Sequence, residues 1–153
     1  MTELDINIRG ATLADLDLLL AFIAQKAEFD GQRSKLKATP ETLHQTLFTD
    51  FPLAQALFAE VNQVVIGFAL FYFTYSSFLA KPSLWIDDLF VQPPMRNQGI
   101  GTALMQEIFQ VSQAKNCGRV EWTVATQNVS AIAFYQKHQA QILERIRVCR
   151  VEL

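Results

Sequence analysis

The segment FVQPPMRNQGIGTALMQEI, residues 90–108, carries the decision about the fold. A proline pair, an arginine and a Gly-Ile-Gly stand directly before a helical apolar pattern. Ile100, Leu104, Ile108 and Val111 share one face of a helix expected over Gly99 to Lys115. The preceding LWIDDLFV reads as a strand. Glycine-rich backbone between a strand and a helix is a setting in which N–H groups and the positive end of a helix dipole gather around phosphate. Three templates compete for it. A dinucleotide fingerprint would need glycine or alanine at its third site, where Leu104 stands. A P-loop would need a lysine before its hydroxyl residue, but Thr102 follows Gly101 directly. What remains is Arg96-x-x-Gly99-x-Gly101. It is either a diphosphate cradle with a forked cation beside it or an ordinary strand-to-helix turn using glycine for its permissive φ.

Toward the N-terminus, a short strand is expected near Ile6 to Arg9. A helix follows, because Leu16, Leu19, Leu20, Ile23, Ala24 and Ala27 recur with helical spacing and Thr12 with Asp15 resembles a capping box. The polar segment from Asp30 to Ala38 leads to Thr39-Pro40, an N-cap and a first-position proline, so a second short helix runs to Phe48. ALFAEVNQVVIGFALFYFTY then reads as two strands joined through Asn62-Gln63. After Gly118, RVEWTVAT is expected as a strand of alternating sides, Val129 to His138 as a helix, and Ile142 to Leu153 as a last strand. No repeat, low-complexity tract or linker interrupts the chain. Residues 1–153 therefore read as a single α/β domain, a mixed and largely antiparallel central sheet flanked by helices.

Composition narrows the function. The chain has 153 residues, of which 50% are hydrophobic and 18% charged, enough for one sizeable core. A formal charge of -2 offers no basic field for nucleic acid, whereas small or cationic ligands fit better. Val61 to Ala80 runs 20 residues without a charge, about the length of a membrane span. Asn62, Gln63, Gly67, Thr74, Ser76 and Ser77, with the aromatic and β-branched make-up, turn that reading toward buried strands, so no membrane partner is expected. Cys117 and Cys149 have no CxxC spacing and no signal peptide precedes them, which reads as free thiols in a reducing cytoplasm. His44 and His138 lack metal-ligand spacing, and no metal is expected.

Two motifs in order carry a resemblance. LFVQPPMRNQGIGTALM followed by NVSAIAFYQKHQA resembles the acetyl-CoA-binding core of the GNAT superfamily of N-acetyltransferases, and the likeness covers nearly the whole chain. Its Arg/Gln-x-x-Gly-x-Gly/Ala pattern is met by Arg96, Gly99 and Gly101. Its later Asn, with a helix ending in Phe-Tyr, is met by Asn128, Phe134 and Tyr135, and 27 residues separate Gly101 from Asn128. GFALFYFTY, LWIDDLFV and the early AEF are similar to the spermidine/spermine (diamine) and thialysine acetyltransferase group.

The resemblance implies acetyl-CoA as co-substrate. Leu89, Phe90 and Val91 would offer backbone to the pantetheine arm, and Arg96, Asn97, Gln98, Gly99, Ile100, Gly101 and Thr102 would hold the pyrophosphate. Asn128, Val129, Ser130 and Ala131 would contact the cofactor again. Tyr135 would be the general acid: a phenol of pKa ~10 can return a proton to a departing thiolate whose conjugate acid lies near ~8.5. Tyr135 as a packed core aromatic is the plain alternative.

The acceptor side is read from acids. Asp87 and Asp88 adjoin in an apolar strand, and alternation would send them to opposite faces. A buried carboxylate needs a partner, which suits a negative pocket for an alkylammonium. By the resemblance Asp87 and Glu28 would contact the substrate, and Ala27 stands where the polyamine group commonly has a tyrosine. Glu121 shares an expected strand face with Thr123 and Ala125 and would add a third carboxylate or lie in solvent. Two departures weaken the substrate side. Gln139 replaces the usual glycine after the Tyr135 helix, and the segment after Ala140 is short, though in relatives it serves the pocket and the homodimer. The expected partner is thus a small amine of diamine or polyamine kind, with thialysine or lysine-like amino acids and protein lysine as alternatives. A non-catalytic CoA-binding module is a further one.

Overall fold

The computed structural model describes residues 4–153. One compact unit ends at Trp122, and a second spans Thr123–Leu153. The first is built on a five-stranded sheet in simple sequence order. Strands β1 (Ile6–Gly10), β2 (Gln55–Val61), β3 (Val64–Ser76) and β4 (Lys81–Val91) pair antiparallel in succession. β5 (Val120–Glu121) joins β4 in parallel, and the crossover such a pairing requires is helix α3 (Ile100–Ala114). Helices α1 (Leu16–Phe29) and α2 (Pro40–Leu47) lie between β1 and β2 in sequence.

Local chemistry sets several joints as expected. Asn62 and Gln63 turn β2 into β3 with φ of 51° and 64°, the positive values a two-residue hairpin of matching twist demands. The Thr39 hydroxyl accepts the Thr42 N–H at 3.2 Å and Pro40 opens α2. At the first helix the capping residues act one step early. The Asp15 carboxylate accepts from the Thr12 N–H at 2.8 Å, but a 3-10 turn over Leu13–Asp15 forms there and α1 starts at Leu16. Arg9 grips Asp15 through both terminal nitrogens, at 2.8 and 2.9 Å, and Glu60 through Nε at 2.7 Å. That guanidinium pulls the Asp15 pKa down to about 2.

The buried stripe of α1 is turned slightly from the expected one. Leu19 and Phe22 are its fully buried members and meet Phe58, Phe68 and Phe90 of the sheet, whereas Leu16, Leu20, Ile23, Ala24 and Ala27 are half-buried. Along α3, Ile100, Leu104 and Ile108 are buried at steps of four, with Met105 buried beside Leu104.

Two expected strands do not form as read. RVEWTVAT yields only Val120–Glu121. The segment 142–153 is exposed throughout and takes no strand pairing among the described residues. Its alternation of Arg145 and Arg147 with Ile146 and Val148 suits a strand, but a strand exists only where a neighbour takes up its backbone groups.

The second unit contains helix α4 (Val129–Lys137). The Asn128 side-chain oxygen caps it, accepting from the Ala131 N–H and the Ser130 hydroxyl at 3.2 Å each. After α4, Gln139 adopts the left-handed conformation (φ 64°) that glycine usually fills, at a cost of about 1 kcal/mol.

Candidate active site

The site begins with an irregularity in β4. Among the described residues β5 accompanies β4 only at Leu84 and Trp85, so from Ile86 to Val91 the strand has a strand neighbour, β3, on one side alone. In the same stretch the register slips: Phe71 faces Ile86 and Leu70 faces Asp88, leaving Asp87 as the extra residue of a β-bulge. Alternation is therefore suspended where it was expected to send the two acids to opposite faces. Asp88 packs against α1, with its Oδ1 3.3 Å from the Lys26 ammonium, while Asp87 is exposed. Asp87 stays near enough for its charge to raise both the Asp88 carboxyl and the Tyr72 phenol.

Asp88 was read from the sequence only as one of two adjoining acids, and Lys26 was not singled out. Burial pushes the Asp88 carboxyl above the ordinary carboxylate range, and the Lys26 charge only partly offsets it. For Lys26, burial disfavours the ammonium, but its hydrogen bond to Asp30 and the charge of Asp88 outweigh burial and raise its pKa. The signal was present: Lys26 follows Leu19, Phe22 and Ile23 at helical spacing on the core-facing side, where an ammonium needs an acid.

Beyond β4, a 3-10 turn over Pro93–Met95 leads into the glycine loop. Asn97 (φ 61°) and Gly99 (φ 86°) both take left-handed backbone, and the first helical bond of α3 runs from the Ala103 N–H to the Gly99 carbonyl at 2.9 Å. The N–H groups of Ile100 and Gly101 thus precede the helical ladder, at the positive end of a 15-residue helix. Among the described residues a Cβ on Gly99 would meet Ile6 Cδ1 alone, at 3.9 Å, so space remains at that position. This geometry fits a diphosphate.

Arg96 has a second engagement that the sequence did not show. Its Nε donates to the Val91 carbonyl at 2.8 Å, and its guanidinium lies 4.2 Å over the Phe29 ring and 5.5 Å from that of Phe90. Stacked and half-buried, it ties the loop to β4 and to the end of α1. Val91, expected to offer backbone to a ligand, has its carbonyl engaged by this arginine. The Gln98 amide donates to the Pro94 carbonyl at 3.3 Å, while Thr102 is half-buried on the first turn of α3. Leu89 is half-buried and Phe90 buried.

Glu28 lines a groove of about 490 Å³ beneath the end of α1, together with Gln25, Phe29, Arg33, Phe90 and Pro93. Ala27 is half-buried in α1. Glu121 does not stand as a spare acid, because its carboxylate lies 3.2 Å from Arg119 Nε. In the second unit, Asn128 spends its oxygen on the α4 cap, Val129 and Ser130 are exposed, and Ala131 is half-buried. Tyr135 is half-buried, its ring 5.4 Å from that of Phe134. Among the described residues no three His, Cys, Asp or Glu stand together as metal ligands, and no helix is long and apolar enough to cross a membrane.

Comparison with known proteins bears on the family and the fold. The model of the acetyltransferase (GNAT) family matches residues 22–140. The mouse (Mus musculus) thialysine N-epsilon-acetyltransferase is 29% identical over 145 residues, covering 90% of this chain and 85% of that protein. The L-ornithine N5-acetyltransferase of Arabidopsis thaliana is 41% identical over 93 residues, 60% of this chain but only 41% of that protein's length. Among solved structures, an aminoglycoside acetyltransferase from an uncultured soil metagenomic sample superposes with a TM-score of 0.82 at 20% identity, covering 97% of this chain and 96% of the other. At that identity the likeness speaks for the fold.

Proposed function

Since this chain belongs to the acetyltransferase (GNAT) family, whose co-substrate is acetyl-CoA, we propose that it moves the acetyl group directly onto the primary amine of a small cationic substrate. One observation carries the reading. The stretch Ile86–Val91 combines a strand edge that takes no second strand neighbour among the described residues with a bulge that bears two carboxylates, and the loop after it presents unladdered N–H groups at a helix start. The thioester, when bound, supplies an activated acyl carbon and a thiolate leaving group. This chain's residues do the rest. A primary amine has a lysine-like pKa of ~10.4 and arrives as ammonium, so a carboxylate must take its proton before attack. Asp87 is exposed and fills that role through water, with Glu28 as the other candidate. Backbone N–H near Leu89 steadies the oxyanion. The proton returned to the thiolate is assigned to Tyr135, on the resemblance of its helix and the chemistry of its phenol. The acids alone suit a diamine, a polyamine or the terminal amine of a lysine-like amino acid. A cytoplasmic homodimer is the expected setting.

The test is release of CoA thiol from acetyl-CoA across diamines, polyamines, lysine analogues and basic peptides, with thermal unfolding run alongside. Saturating acetyl-CoA raises the melting temperature by mass action, and at least one small amine accelerates thiol release. Stabilisation without turnover of any amine would leave a CoA-binding module. Acetylation of peptide lysine alone would move the acceptor to proteins.

A further inference from the structure

The acid pair of the β4 bulge meets a cation that is held independently of the bulge. Lys26 lies in the last turn of α1, bonds the Asp30 carboxylate at i+4, and stands 3.3 Å from Asp88 Oδ1. The pair with Asp30 belongs to the helix end. The contact with Asp88 crosses from helix to sheet, at the place where the register slip leaves Asp87 as the extra residue. Asp88 keeps 19% of its side-chain surface in solvent and Lys26 keeps 23%. The inner acid is therefore poorly hydrated, yet a small ligand can still reach it.

The other charges around Asp88 oppose its ionisation. Burial disfavours the carboxylate, Asp87 adjoins it on β4, and Asp30 adds a negative charge from the end of α1. From β3, Leu70 stands opposite, and burial and the charge of Asp87 raise the Tyr72 phenol. Among the described residues Lys26 alone offsets these effects. Without it, Asp88 would draw a proton from water instead. The two outcomes differ for an arriving ammonium. A carboxylate is acceptor-only and keeps lone pairs for a second cation, whereas a carboxylic acid is neutral and sets an O–H donor among its oxygens. Lys26 repels an ammonium, but its charge is shared with Asp30, and it leaves the Asp88 oxygens free of a proton.

We propose that Lys26 is the positioning residue of the acceptor side: paired with Asp88, it keeps the inner acid of the bulge ionised, so that an ammonium meets two carboxylates, Asp87 to take its proton and Asp88 to hold it. This rests on the acetyl-transfer reading above. The test is the pH profile of kcat/KM for the best amine of the panel, with circular dichroism confirming each fold. Wild type is compared with Lys26→Met, Lys26→Arg, Asp88→Asn and the double variant Lys26→Met with Asp88→Asn. Activity falls as pH drops through the apparent pKa of the acid pair. Removing an opposite charge at this range raises such a pKa, so the acid limb of Lys26→Met moves up by about 1–3 pH units, while Lys26→Arg leaves it near wild type. In the Asp88→Asn background, Lys26→Met moves the limb no further. A loss in Lys26→Met that is the same at every pH gives the lysine a packing role and overturns the proposal. An equal move of the limb in the Asp88→Asn background also overturns it, because Lys26 would then act on Asp87 directly. Should Lys26→Met not fold, Lys26→Gln takes its place with the same expectations. If no amine is turned over, the acetyl-transfer reading falls, and NMR titration of the Asp88 carboxyl carbon still decides what Lys26 does. Its midpoint must rise by about 1–3 pH units in Lys26→Met, and an unmoved midpoint rejects the assignment.

Discussion

The Lys26 ammonium lies 3.3 Å from the Asp88 carboxylate while also bonding Asp30, which sets one cation against the burial of the inner acid of the bulge. Lys26→Met keeps most of the apolar stem and removes that cation. At about pH 7 the variant is expected to be less stable by about 1–3 kcal/mol, less than a fully buried pair would cost because both side chains retain some solvent. The sign of the pH dependence follows from Asp88. An acid whose folded pKa is raised binds its proton more tightly when folded, and removing Lys26 raises it further. The deficit relative to wild type therefore shrinks as pH falls through that pKa. Urea unfolding at about pH 7 and about pH 4.5 measures it, and an unchanged deficit would show the two groups to be uncoupled.

Arg96→Gln separates two roles that the sequence alone presented as one. Loss of the Nε bond to Val91 and of the stacking on Phe29 is expected to lower stability by about 1–2 kcal/mol, in addition to weakening acetyl-CoA binding. Thermal unfolding without ligand reads the first effect and titration with CoA the second. A melting temperature equal to wild type would return Arg96 to a purely ligand-facing role.

Gly67 lies opposite Val91, where an added Cβ would stand 2.9 Å from the Phe90 carbonyl oxygen and 3.3 Å from Val91 Cγ2. Gly67→Ala therefore forces β3 and β4 apart at Val91, costing about 1–3 kcal/mol and lowering acetyl-CoA affinity. Gly10→Ala is the control, because nothing lies within 4 Å of its Cβ, and it should stay within about 0.5 kcal/mol. Equal stabilities of the two variants would contradict the close approach.

Tyr135→Phe removes one oxygen and keeps the ring against Phe134. With the phenol as general acid, turnover at saturating substrates falls by ~10² to 10⁴ while folding and acetyl-CoA affinity persist. A loss below about threefold, with circular dichroism intact, assigns the proton to water instead.

Much of the fold was legible because its signals are local. Asn62-Gln63 takes the positive φ of its turn, Thr39-Pro40 starts α2, and the glycine loop stands between β4 and α3. The backbone of the glycine loop was legible to the same depth. Gly99 was identified from its type and spacing, since few residues accept φ 86° ahead of a helix.

What tertiary structure decided is the set of choices that depend on a partner distant in sequence. Asp87 and Asp88 are indistinguishable along the chain. Only the register of β4 against β3 makes one the bulge residue and gives the other to Lys26. Arg96 carries a phosphate-binding motif by sequence, yet the ring of Phe29, 67 positions away, and the carbonyl of Val91 direct its guanidinium. The segment 142–153 reads like a strand and takes no strand pairing among the described residues, because the pairing of a strand is a property of two segments. Sequence determined where the backbone turns, caps and bares its N–H groups, since φ and ψ preferences reside in single residues. Register, burial and the pairing of charges were left to the fold, since each is an energy shared between residues that only folding brings together.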